Sequence, residues 1–420
     1  MKKALLSFGA IMIIALPVLA KMPKIDVKGE IRVRAEEINN AADFKNTDAA
    51  GNNDDKDSHV KHRVRVWLGS ELSDGIGAHI CLCKPDTGRE WAKQGAGDLN
   101  KLQDNIAFRH AYLTIDDVAD LVDLALGRQE IGTKDRELVL WEDAIDAKKA
   151  SVELRDLSLS AICAKANENG AANDTDTNIQ GLTGSIALDL LGGIDLAGYG
   201  YRKTIHKPVK DNTDKNNVIG GKVSGSLDIA STLNYSAEYA KQVGGTPTDR
   251  DANAYRVCLG YTTEVEGLGK LSIEGSYLKM SGTEGATADA KSYSGIDPDL
   301  DYYAVLVDDQ RAVIFTPAGG VDLTKVNGRK DLNINAQITP EAIDNITLGI
   351  SYTSFSTAEK VKATGNKTSL GSELDLSCSY RYSDTTKITG TYARFSPGDI
   401  WATGNRDTAS MLRCELLTKF

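Results

Sequence analysis

Two short stretches of the chain carry arginine at alternate positions: Arg32 and Arg34 in EIRVRAEE, and Arg63 and Arg65 in HRVRVWL. A guanidinium presents a rigid fork of donors that fits a carboxylate or a phosphate with two parallel hydrogen bonds. Arginines two apart on an extended chain point the same way, so each pair forms one patch of positive charge. Arg413, near the end of the chain, sits in the same alternating context, and Arg128 follows a run of leucines. This chemistry suits recognition of acidic groups. Catalysis has less material. The five histidines, His59, His62, His79, His110 and His206, fall in no HEXXH pattern, and GXSXG and phosphate-loop patterns are absent, so no enzyme is expected.

Metal chemistry is weakly signalled. His79, Cys81 and Cys83 share one strand face, a soft-ligand patch, but three ligands on one extended segment point in nearly parallel directions. Small side chains filling a wall is the plainer reading. The acidic segments GNNDDKD, residues 51–57, and Asp297 to Asp301 offer hard oxygen ligands for a weak loop calcium site, although Tyr302 stands where an EF-hand needs glycine. Otherwise no cofactor is expected. The other four of the six cysteines are scattered singly and form no disulfide framework.

The elements that would position the arginines are strands. Period-two alternation runs from KIDVKGEIRVRAEE through LTGSIALDL, LNYSAEYAK, DLNINAQIT and SELDLSCSYRYS to the last stretch, RCELLTKF. In the first of these, Val27, Ile31 and Val33 oppose Lys28, Glu30, Arg32 and Arg34. Each run is about ten residues, the length of a tilted strand crossing a bilayer. The connections alternate between long polar segments, such as 38–57, 84–105 and 282–327, and tight links, such as Ser73-Asp74-Gly75, Arg155-Asp156 and Leu191-Gly192-Gly193. Alternating long and short links are what a transmembrane β-barrel with outer loops and inner turns requires. The expectation is an all-β antiparallel barrel of about 18 strands, with roughly 16 and 20 also open because residues 302–317 could form a hairpin or two more wall strands.

Residues 1–20 read as a secretory signal peptide: Lys2 and Lys3, an apolar stretch to Pro17, then small residues to Ala20. Residues 21–420 then form a single outer-membrane barrel. In RCELLTKF, Leu412, Leu416 and Phe420 should face lipid, and Arg413, Glu415 and Lys419 the lumen. A terminal Phe420 on such a strand resembles the signal that outer-membrane barrels present to their assembly machinery, an expected partner along with outer-membrane lipid. The formal net charge of -10 argues against nucleic acid as a partner.

One stretch, RHAYLTIDDVADLVDLALGRQEIGTKDRELVLWEDAIDAKKASVEL at 109–154, resembles the alginate export family of outer-membrane porins. The residues that carry the resemblance are Ala111-Tyr112-Leu113, Gly127-Arg128-Gln129, Asp135-Arg136, Trp141 and Asp146-Ala147-Lys148. The Arg-x-Arg strands are similar to that family too. The resemblance implies a monomeric barrel whose lumen, lined by arginines, passes an anionic polysaccharide or another acidic solute. From the residues themselves, closure would bring Arg32, Arg34, Arg63, Arg65 and Arg413 into one lumen sector. Glu30, Glu36, Glu153 and Glu415 could neutralise it. Arg128 needs a bulge or a rim position to join. The alternatives are a general diffusion porin for small polar solutes, or a structural or adhesive surface barrel.

Overall fold

The computed structural model describes residues 24–41, 44, 56–83, 92–94, 106–131, 138–139, 144–167, 176–190, 192–206, 213–228, 231–246, 249–284, 290–296, 304–307, 314–315, 322–401 and 406–420. The leader, Trp141, Asp135-Arg136 and both acidic loop segments except Lys56 and Asp57 lie outside them. The strands, in chain order, are β1 (Ile25–Asn39), β2 (Lys56–Ser73), β3 (Ile76–Cys83), β4 (Ala92–Gln94), β5 (Ala107–Val118), β6 (Val122–Gln129), β7 (Ile145–Leu154), β8 (Leu157–Asn167), β9 (Thr177–Leu188) and β10 (Ile194–His206). They continue with β11 (Thr213–Asp228), β12 (Thr232–Gly244), β13 (Arg250–Val265), β14 (Gly269–Met280), β15 (Arg329–Pro340), β16 (Ile346–Val361), β17 (Lys367–Arg381), β18 (Thr386–Pro397) and β19 (Ala409–Lys419).

Every wall strand pairs antiparallel with its neighbours, and β19 pairs with β1 over ten register positions, from Glu30 with Lys419 to Asn39 with Ser410. The sheet therefore closes and leaves no edge, which the bilayer demands of any strand-built span. Eighteen strands make the wall. The remaining one, β4, adds a three-residue ribbon to β2, opposite Val60 to His62, above the point where β3 stops. The prospect of two further wall strands within 302–317 is overturned, because β14 pairs directly with β15 from Gly269 with Pro340 to Met280 with Arg329. Residues 305–307 are helical instead.

Several strands outrun the expected ten residues; β1 has 15 and β2 has 18. The excess lies at the long-loop end, where the wall stands above the apolar band. Outward positions carry Val27, Ile31, Val33, Leu113, Leu126, Leu182, Leu259, Ile334, Ile350, Leu412 and Leu416, all exposed. Tyr261, Tyr380, Tyr382 and Phe420 ring the short-turn end of that outer face, where an apolar ring with a wet tip suits the interface. Phe420 also closes the seam. Its N–H donates to the Gly29 carbonyl at 3.0 Å, its own carbonyl accepts from Gly29 N at 2.7 Å, and its ring occupies the space that a side chain on Gly29 would need.

The apolar interior is confined to the long-loop end. One cluster gathers Leu138, Val139, Tyr293 and Ile296 against Ile145, Ile179, Tyr201, Val218 and Leu278 of the wall. A second gathers Phe44, Leu306, Val307, Ile314 and Phe315 against Phe355, Leu370, Phe395 and Met411. Two connections thus fold inward, β6–β7 and β14–β15. Each fully buried large side chain contributes roughly 1.5–3 kcal/mol, so these segments are packed parts of the barrel and not solvated flaps.

Candidate functional site: the charged sector of the lumen

The seam where β19, β1 and β2 meet carries the densest charge in the structure. On β1 the inward positions are Glu30, Arg32, Arg34 and Glu36, since the odd-numbered residues between them are exposed to lipid. Register sets Glu30 opposite Arg65, Arg32 opposite Arg63, Arg34 opposite Lys61 and Glu36 opposite His59 on β2. On the other side it sets Arg34 opposite Glu415 and Glu36 opposite Arg413 of β19. Residues opposite one another share a face. Arg32, Arg34, Arg63, Arg65 and Arg413 therefore lie on one stretch of inner wall.

Ion pairs stitch the patch. Glu36 is its hub, 2.5 Å from Arg413 Nε, 2.8 Å from Lys61 Nζ, 2.9 Å from His59 Nε2 and 3.5 Å from Arg34 Nε. Glu415 accepts from Arg34 at 2.8 Å and 3.0 Å, and Arg32 Nε lies 3.8 Å from it. Glu30 accepts from Arg63 Nε at 3.0 Å and from its Nη2 at a shorter distance, with Arg32 at 3.8 Å. Three carboxylates, Glu30, Glu36 and Glu415, are thus shared among Arg32, Arg34, Lys61, Arg63 and Arg413, with Arg65 beside them. Glu153 takes no part: it is exposed near the β7–β8 turn and accepts from Ser158 Oγ at 2.6 Å.

Arg128 does not join the group. Register sets it beside Ala111 and Asp146, on the outward face that Leu113 and Leu126 share, and it pairs with Asp146 at 3.9 Å. No bulge in β6 turns it inward, because Gly127 adopts φ 127° without shifting the ladder. The neighbour that does turn inward is Gln129, buried, whose amide donates to the carbonyls of Ala125 at 2.9 Å and Ala147 at 3.2 Å. Two members of the patch went unnoticed among the arginines, His59 and Lys61. Both follow the same alternate beat, His59-Lys61-Arg63-Arg65, that marked the pair beyond them.

Two further arrangements bound the lumen. The Glu373 carboxylate on β17 accepts the backbone N–H groups of Leu306 at 2.7 Å and Val307 at 2.9 Å, which ties the inward β14–β15 connection to the wall. Arg329, bound to Asp331 at 2.6 Å, lies with its guanidinium carbon 4.8 Å from the Phe315 ring centre and 5.6 Å from that of Phe355. Tyr293 donates to the Leu138 carbonyl at 2.8 Å, joining the two inward connections to each other. Burial, with the Glu238 charge adding to it, holds its phenol well above the usual range of ionisation.

His79, Cys81 and Cys83 occupy successive inward positions of β3. Among the described residues no three histidine, cysteine or acidic side chains are arranged to hold a metal ion.

The sequence model of a known family, described as alginate export, matches residues 24–273, more than half of the chain. The chain belongs to the alginate export family. No curated protein sequence matches it. Among solved structures it is similar to outer-membrane porins of Pseudomonas aeruginosa. OccK9 (OpdG) superposes with a TM-score of 0.59 at 13% identity, covering 94% of this chain and 98% of that one. OpdQ gives 0.57 at 11% identity over 94% and 98%, and OccK11 (OpdR) 0.57 at 13% over 94% and 96%. At these identities the likeness concerns the fold. Family and fold together make the protein a β-barrel channel of the bacterial outer membrane.

Proposed function

We propose that this outer-membrane channel favours anionic solutes, acidic polysaccharide among them, and that the arginine-rich sector at the seam is what they meet. The observation that carries the reading is the register of Arg32 opposite Arg63. Like charges directly across a strand pair are destabilising. A wall built only for stability would set a carboxylate or a neutral residue at one of the two positions. Cationic side chains in a low-dielectric passage focus the field on a passing anion, and guanidiniums suit carboxylate geometry.

A second reading has its own support. Glu30, Glu36 and Glu415 thread through the patch and screen it, which favours a general diffusion porin with weak selectivity. Reversal potential in a salt gradient, measured on the purified protein in a planar bilayer, separates the two. Replacing Arg32 and Arg63 together by glutamine should shift it toward cations and weaken block by oligouronates. A channel that already favours cations, or one indifferent to the double replacement, would leave the general porin.

A further inference from the structure

Below the charged seam, toward the short-turn end, the inner wall changes character. Register sets Lys28 opposite Trp67, Trp67 opposite Cys81 and Cys81 opposite His110; the next inward row runs Asp26, Gly69, His79, Tyr112. Trp67, His79, His110 and Tyr112 bound a cavity of about 450 Å³, with Asp26 and Lys28 at its edge. The rings of His79 and Tyr112 stack at 4.7 Å with 17° between their planes, and His110 meets Tyr112 edge-on at 6.4 Å. The Arg65 guanidinium lies 6.0 Å from the Trp67 ring centre. All four ring-bearing residues are only part-buried, and none belongs to either apolar cluster at the opposite end.

Aromatic faces left uncovered on the wall of a water-filled lumen gain nothing from burial, so their grouping calls for a ligand with an apolar face and a polar rim. A pyranose ring is such a ligand. Its axial C–H groups carry partial positive charge that matches the negative face of an aromatic ring, and its hydroxyls and any carboxylate project from the edge. A cavity of this size lies in the range of small-molecule sites, which are mostly apolar with a few placed polar groups. Gly69 keeps the floor open: a side chain there would meet only His79 Nδ1, at 3.9 Å.

We propose that this vestibule is a sugar subsite, taking one ring of an acidic oligosaccharide with the aromatic residues against its face, Lys28 toward its carboxylate and Asp26 toward its hydroxyls. The inference rests on the anion-channel reading for the charge of its ligand, and adds that rings as well as charges are recognised.

The test is single-channel recording of the full chain in a planar bilayer, with trimannuronate or citrate added to both chambers. Citrate carries carboxylates but no ring. Two variants address the pocket in opposite ways: Tyr112→Ala removes half of the stack, and Gly69→Leu fills the floor while leaving every aromatic in place. Both are first checked for heat-modifiable gel migration, which reports an assembled barrel. The expected result is that each variant shortens trimannuronate block about tenfold, equivalent to roughly 1.4 kcal/mol, and leaves citrate block at the wild-type duration. Trimannuronate block that is unchanged in either assembled variant, or citrate block shortened to the same degree, would overturn the subsite. A wild-type reversal potential favouring cations would remove the anion reading separately, and the subsite would then stand or fall on the block durations alone.

Discussion

Replacing Glu36 by glutamine tests whether the charged seam is held together from its centre. The carboxylate is buried, and Arg413, Lys61, His59 and Arg34 all lie within 3.5 Å of it. At an effective dielectric of about 20, a unit charge roughly 3 Å away is worth on the order of 5 kcal/mol. Most of that gross attraction is offset by desolvation, and breaking a buried pair by removing one partner costs about 3–5 kcal/mol. The shape of glutamine is nearly that of glutamate, so packing barely changes, but Lys61, Arg34 and Arg413 are left facing an amide. The variant should unfold at lower urea concentration, followed by loss of heat-modifiable migration, with a deficit of about 3–5 kcal/mol. Adding Lys61→Gln to it should recover part of the deficit, since it removes one of the orphaned cations. A Glu36→Gln barrel as stable as wild type to within about 1 kcal/mol, or a double variant worse than the sum of its parts, would show that Glu36 is not the hub.

Other outcomes follow from the same geometry. Leu416 faces lipid and Leu417 shares the inner face with Arg32, so Leu416→Lys should cost about 2–4 kcal/mol in membrane assembly and Leu417→Lys much less. Glu373→Gln weakens two charge-assisted bonds to the β14–β15 connection, each worth about 1.5–3 kcal/mol, and should raise open-channel current noise in bilayer recordings. Because burial holds the Tyr293 phenol neutral well above its usual range, its bond to Leu138 should persist in mildly alkaline solution; Tyr293→Phe, which removes the bond, should cost about 0.5–1.5 kcal/mol at any pH in between. A chain shortened to Lys419 loses the ring over Gly29 and the last seam hydrogen bonds, so less assembled barrel should appear on a heat-modifiability gel, with reversal potential unchanged.

The wall was legible in the sequence because each strand reports its own face. Alternation in EIRVRAEE separates Val33 from Arg34 whatever the neighbours are, and tight links such as Arg155-Asp156 announce themselves through local backbone demands, here φ 53° at Arg155. Register then followed, since a slip of one residue would have turned Arg32 and Arg34 to lipid. The inward connections were not legible. Leu138 and Val139 sit in a charged segment, and Phe315 in a stretch that reads as strand; what buries them is contact with Tyr293, Phe355 and other residues remote in sequence. The apolar runs LVL at 138–140 and AVIF at 312–315 were the available signal, since a solvated loop has no use for them. Arg128 was misassigned to the pore for a related reason: a family tripeptide was allowed to outweigh the alternation that set it beside Leu126.

The chain's negative total and its cationic seam are compatible once distance is considered. Exposed carboxylates act through salt solution, where a Debye length is about 8–10 Å. Charges on the inner wall act through a narrow aqueous path with low-dielectric walls, which concentrate their field along the axis. The acidic partners present at the seam do a different task from neutralising it: Glu36, held by cations from β1, β2 and β19 at once, crosslinks the three strands at which the barrel closes. Under the proposed anion preference, a single cluster therefore meets two demands. Its carboxylates lock the closing seam, and its surplus of guanidinium and ammonium groups faces the path. Removing a glutamate should weaken the wall, and removing Arg32 with Arg63 should alter what passes through it.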